Sequence, residues 1–163
     1  MNSVAKSKPI SEPALRGEQW FLTSSDWRGA ATSGRQADPF CCTPAWQLSY
    51  HNSFAPNRRL LIEEDSKSVV AFAERIISPN FTCLTPLEDS WQFGSPLIGN
   101  RATDLLADMM TSIEKRYSPQ FPSIMISGVR PRGLVYKNLK RRFERKFRFH
   151  RHRFGTQCSA SLL

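Results

Sequence analysis

Metal-binding and redox chemistry have little to draw on in this sequence. It carries three histidines and four cysteines in 163 residues. Cys41, Cys42, Cys83 and Cys158 include no pair separated by two residues, so zinc-finger and thioredoxin-like spacings are excluded. Adjacent Cys41 and Cys42 cannot bridge each other without strain, and buried reduced thiols are the expectation. His150 and His152 would share one face of a strand, half a metal site. His51 is the one other histidine and cations crowd the pair, so no metal is expected. No apolar run nears the roughly 20 residues that span a bilayer. The N-terminus has lysines but no apolar stretch of the kind a secretory signal needs, which leaves a cytoplasmic protein as the default. Internal repeats and low-complexity tracts are absent as well.

Acidic residues are also scarce. Fourteen Asp and Glu face 23 Lys and Arg, a formal charge of +9. The excess is local. Residues 132–153 hold ten Lys or Arg and one acid, Glu144, and the rest of the chain balances at thirteen of each. The high isoelectric point therefore describes one segment and not the whole surface.

What is present is a globular composition, 40% apolar with eleven phenylalanines. Residues 1–18 read as a flexible lead and 19–163 as one domain. A short strand is expected at 19–23, with Asp26 a possible helix cap and Gly29 to Gly34 a loop. Thr43 and Pro44 then open a helix, because a hydroxyl at the cap and proline at the first turn both suit its free N–H groups. Trp46, Tyr50 and Phe54 recur every fourth residue and should form one buried face. Pro56 and Asn57 stop the helix.

Two apolar runs, Leu60 to Ile62 and Val69 to Ile77, flank the hexamer from Glu63 to Ser68. That hexamer reads as a solvent-facing hairpin loop. A third strand is expected at 81–84. A punctuated loop with Gly94, Pro96 and Gly99 follows. The clearest amphipathic helix comes next, capped by Thr103 or Asp104. Leu105, Met109 and Ile113 form one stripe, Leu106 and Met110 a second, and Lys115 and Arg116 favour its C-terminal end. A central strand at 124–126 precedes a basic helix from about 133 to 147, with Leu139, Phe143 and Phe147 on its apolar face. Residues 157–162 could form a last strand. The order predicts an α/β fold: a mixed sheet, antiparallel in the middle, with helices on both faces.

Several segments together resemble one family. They are Pro39, Phe40 and Trp46; Phe54 through Ile62; Ser68 to Arg75; Trp91 to Gly99; and Ile126 to Gly133. In this order the chain resembles the N-terminal lobe of CelD-type and FemAB-like acetyltransferases of the GNAT superfamily, which are associated with cellulose and polysaccharide biosynthesis. The resemblance covers most of 40–163. It implies transfer of an acyl group from acetyl-CoA to an amine or hydroxyl, with backbone N–H groups polarising the thioester carbonyl. It also implies a second GNAT-like lobe, which this chain does not contain. The expected partner is that lobe or a second copy of this one.

The family's pyrophosphate loop is a glycine-rich turn, Arg/Gln-x-x-Gly-x-Gly/Ala, opening a helix. Residues 94–101 depart from it: the glycines are five apart and Pro96 removes a donor. No cofactor site is therefore evident for this chain alone, and whether it is an enzyme by itself stays open. An acceptor-side lobe, inactive alone, is the expectation.

Arg130 and Arg132 follow the 124–128 strand, where open α/β sheets bind ligands, and are candidate anion contacts. Arg141, Arg142 and Arg145 on the basic helix are further candidates. The alternative function is a non-catalytic module binding nucleic acid or an anionic membrane through residues 132–153. The spacing of Leu139, Phe143 and Phe147 fits an ordinary amphipathic helix better than nucleic acid. Glu63, Glu64, Asp65, Glu74 and Glu88 are the carboxylates near strand ends, and none can be named a base.

Overall fold

A computed structural model describes the backbone of residues 25–33, 36–154 and 157–162, and the side chains of 26–33 and 36–150. The expected 19–23 strand lies outside the described residues. The elements in chain order are α1 (Ser25–Ser33), α2 (Pro44–Phe54), β1 (Leu60–Asp65), β2 (Ser68–Ser78), β3 (Phe81–Pro86), β4 (Leu97–Gly99), α3 (Ala102–Tyr117), β5 (Ser123–Ile126), α4 (Leu134–Phe143), β6 (Phe149–Phe154) and β7 (Gln157–Leu162).

The strands form one mixed sheet in the order β1-β2-β3-β5-β7-β6, with β4 also paired to β2. The β1–β2, β2–β3, β5–β7 and β7–β6 pairs are antiparallel and β3–β5 is parallel. A parallel neighbour requires a crossover, and α3 supplies it. Strand alternation sends Val70 and Phe72 to one face and Val69 and Ala71 to the other. The first face packs Leu84, Ile124 and Ile126 against Leu106, Met109, Met110 and Ile113 of α3 and Leu139 and Phe143 of α4. The second packs against Trp27, Ala30 and Ala31 of α1. Helices thus lie on both faces of a mostly antiparallel sheet, as expected.

Several details differ from the expectation. Gly29 lies inside α1, where added side-chain bulk would meet nothing within 4 Å. The acidic hexamer is mostly strand: Glu63 pairs with Val70 and Asp65 with Ser68, leaving a two-residue turn. Period-two alternation let Glu63 point to a half-buried site, and burial there raises its carboxyl above the usual range. The amphipathic helix starts at Ala102, before either expected cap. The basic helix ends at Phe143, short of the expected 147, and 149–154 form a strand, β6, that was not expected. Phe147 still closes on Phe143 and Phe121, at ring distances of 6.0 and 5.3 Å.

The position of β4 matters most. β3 runs along β2 from Ser78 to Phe72, and β4 resumes along the same edge from Val70 to Ser68. The Pro96 carbonyl accepts from the Ala71 N–H at 2.9 Å. β3 and β4 are therefore one strand line, interrupted by an excursion over residues 87–96. Compact loops of this kind, closed by their own side chains, are frequent functional elements.

Candidate functional site

Glu88 builds the excursion. Its side chain is fully buried, and its two oxygens accept four backbone N–H groups. Oε1 takes those of Trp91 and Gln92, each at 2.6 Å, and Oε2 those of Phe93 and Gly94 at 2.9 and 3.2 Å. A carboxylate is acceptor-only, so one side chain satisfies a whole turn of donors that no strand could reach. The same engagement removes Glu88 as a candidate base. Gln92 sits at φ 58°, a left-handed position uncommon for a residue with a side chain.

Gly94 is where the excursion returns. A Cβ there would lie 2.4 Å from the Cys41 carbonyl oxygen, so only glycine fits. The Ser127 hydroxyl, just past β5, donates to the Gly94 carbonyl at 2.7 Å. The β3–β5 ladder covers only Cys83–Ser123 and Leu84–Ile124. Beyond it β3 gives way to the excursion, and the two parallel strands part.

Beside this parting lies a cavity of about 200 Å³. Its walls include Ser95, Gly99, Thr103, Gly128, Arg130 and Asn138. Gly99 and Thr103 bring the start of α3, and Gly133 and Leu134 the start of α4. Neither helix has a side-chain cap on its first N–H groups. Two uncapped N-termini and Arg130 make a site suited to a small anion, partly offset by Asp104 in the first turn of α3.

Of the expected anion contacts, Arg130 reaches the cavity wall. Arg141 reaches it indirectly, donating to the Asn138 side-chain oxygen at 3.3 Å. Arg132 sits exposed at φ 66°, and Arg142 and Arg145 are exposed on and just after α4 without lining the cavity. Among the described residues, no group of three His, Cys, Asp or Glu is placed to hold a metal. No described helix is long and apolar enough to cross a membrane.

The residues do not fit the diphosphate of acyl-CoA. Gly99, at φ 91°, is needed where the chain presses on the β1–β2 turn, since a Cβ would lie 2.1 Å from the Lys67 carbonyl oxygen. Gly94 is consumed by its contact with Cys41, and Pro96 by the sheet. The glycines serve packing and leave no phosphate cradle. The cavity also falls short of the roughly 300–1,000 Å³ usual for cofactor-sized ligands.

The second feature is a row of rings on the α2 side. The Thr43 hydroxyl accepts from the Trp46 N–H at 3.4 Å with Pro44 in the first turn, so α2 starts as expected. Its buried residues are Pro44, Gln47, Leu48, Tyr50 and His51. Trp46, Tyr50 and Phe54 do share a face, but that face meets Trp91 of the excursion, and Phe54 is 66% exposed. The expectation of a wholly buried aromatic face is thus corrected in part: Tyr50 is buried, Trp46 half-buried and Phe54 exposed. Beside the rings, Asp89 accepts from Arg58 at 2.5 Å and lies 3.7 Å from Arg75. The Tyr50 hydroxyl donates to Ser90, with Asp89 at 3.5 Å.

Cys41 and Cys42 are structural. Cys42 accepts from Trp27 Nε1 through its carbonyl at 2.9 Å and from the Ser95 N–H through sulfur at 3.4 Å. Burial is the main cause that pushes the Cys41 thiol to about 12 and the Cys42 thiol to about 11, so neither is a thiolate near neutral pH.

No known protein family, curated protein or solved structure matches this chain.

Proposed function

We propose that this domain is a GNAT-like lobe that works on the acceptor side of an acyl transfer, holding a small anionic group in the cavity beyond β4 and β5. Support comes from the element order: antiparallel strands, a parallel pair linked through α3, an antiparallel end, and helices on both faces. The observation that carries the reading is the cavity, where two uncapped helix N-termini and Arg130 meet at the parting of β3 and β5. The displaced glycines support a binding lobe over a self-sufficient acetyl-CoA enzyme.

Calorimetry with sulfate and with coenzyme A tests this. Sulfate should bind, coenzyme A should bind no tighter, and Arg130→Ala should weaken sulfate binding by about tenfold, roughly 1.4 kcal/mol. Tight coenzyme A binding with acyl turnover would overturn the acceptor-side reading, and absence of any anion binding would overturn the cavity.

One observation favours the second reading, a polyanion-binding module. Eight Lys and Arg between 132 and 148 are exposed, with Glu144 the single acid, and none of them forms an ion pair among the described residues. Duplex DNA binding whose affinity falls steeply with salt, and which leaves the cavity variant unaffected, would support that module instead.

A further inference from the structure

We propose that the aromatic row formed by α2 and the tip of the excursion is a saccharide-binding shelf, taking a linear chain of flat, uncharged sugar rings. The inference rests on the shelf alone and is independent of the anion cavity.

The rings form a continuous line. Phe40 lies 5.5 Å from Trp46, and Trp46 5.8 Å from Trp91. Trp91 lies 5.5 Å from Tyr50 and 6.2 Å from Phe54. Trp46 to Phe54 spans about 12 Å along the helix axis. Every contact is tilted or edge-on, between 36° and 75°; Tyr50 is buried beneath the row, and Phe40, Trp91 and Phe54 form its exposed surface. Phe40, Phe54 and Trp91 keep 64%, 66% and 48% of their surface in solvent. Contiguous apolar exposure of this kind marks a binding surface more often than a bare exterior.

The exposure is held in place. Trp91 stands on a turn whose N–H groups converge on a buried carboxylate, and the next residue, Gln92, is kept at positive φ. A floppy loop would let Trp91 fold away from water. This one fixes the ring outward, and unusual backbone geometry of this sort concentrates at functional positions.

The chemistry around the rings selects the occupant. Ring faces carry negative charge density and attract weakly positive C–H groups. Asp89 holds the guanidinium groups of Arg58 and Arg75 beside them as donors, and the exposed Ser90 hydroxyl both donates and accepts. An equatorially substituted pyranose has this amphiphilic form, with C–H groups on its faces and hydroxyls that both donate and accept around its edge. A chain of them matches a row of rings at near-regular steps. A nucleic acid fits less well, because the rings are tilted against one another and leave no parallel slot for a base.

The test is titration of the full chain with chitohexaose and cellohexaose, followed by tryptophan fluorescence and calorimetry. At least one should bind, with little change over a tenfold rise in salt. Trp91→Ala and Phe54→Ala, each checked for unchanged melting, should weaken it about tenfold or more, and Arg130→Ala should not. Binding of neither sugar overturns the proposal. So does binding that survives both ring variants. Self-association abolished by Trp91→Ala, without sugar binding, would assign the shelf to a second copy and also overturn it.

Discussion

Glu88 offers the sharpest check on how this fold is held. Its carboxylate is fully buried and accepts from four consecutive N–H groups. Hydrogen bonds to a charged group are worth about 1.5–3 kcal/mol each, but four cannot simply be summed. Three of these bonds are only part-buried, so the freed N–H groups of Trp91, Gln92 and Phe93 can turn to water. The Gly94 N–H is buried and would be left without an acceptor. Glu88→Ala therefore loses one buried donor's partner and leaves a void, at about 3–5 kcal/mol in all. Glu88→Gln keeps one accepting oxygen but turns an NH₂ toward two N–H donors, a loss of about 2–3 kcal/mol. At roughly 2–4 °C per kcal/mol for a domain of this size, Glu88→Gln should melt about 4–12 °C lower. Thermal unfolding followed by circular dichroism gives the shift. Acrylamide quenching should show Trp91 more accessible before the main transition. A Glu88→Gln protein melting within about 0.5 kcal/mol of the parent would refute the claim that this carboxylate organises the excursion.

Three further outcomes are expected. Burial, then the nearby Arg58 charge, holds His51 below the usual imidazole range, while the unfolded chain takes up a proton near 6.5. The stability this histidine contributes is complete above that pH and declines as pH falls from about 7 to 5, so His51→Gln should flatten that part of a melting-temperature profile; an unaltered slope would count against it. Gly99→Ala forces a side chain at φ 91° onto the Lys67 carbonyl and should cost about 2 kcal/mol or more in urea unfolding, whereas an unchanged midpoint would mean that the turn relaxes freely. Trp27→Phe removes the Nε1 bond to the Cys42 carbonyl from a fully buried site and should cost about 2–3 kcal/mol, with near-neutrality as the refuting result.

Local chemistry made much of the fold legible. The Thr43–Pro44 helix start, the apolar face of α3 and the Leu139–Phe143 face of α4 follow from spacing alone. Burial departs from local pattern where a distant partner decides it. Trp46, Tyr50 and Phe54 have the periodicity of a core face, yet the sheet on that side is taken by α1, and Trp91, 37 to 45 residues away, meets them instead. Glu63 looks like a loop residue because it is charged, but the register of β1 against β2 decides its place. For the cavity, position after a strand pointed to Arg130 correctly. Charge alone could not separate it from Arg142 and Arg145, because what distinguishes them is where α4 begins relative to β5. The role of Glu88 had one local signal, an acid placed just before an aromatic and glycine-containing turn. Recognising it required knowing that β3 and β4 are one line, which is a property of pairing with β2.

That interrupted line explains why the two surfaces occur where they do. An unbroken strand from Phe81 to Gly99 would need every intervening N–H to find a ladder partner, and β2 offers none beyond Ser68 to Ser78. The ten residues that do not fit must leave the sheet, and their donors must be met elsewhere. Glu88 meets four of them. Leaving toward α2 carries Trp91 to the ring row, and returning past Gly94 and Ser95 places the chain against Ser127 and the cavity wall. A single buried carboxylate thus fixes the geometry of both surfaces, although they share no side chain. Its loss should disturb both together, whereas Arg130→Ala touches only the cavity and Phe54→Ala only the rings.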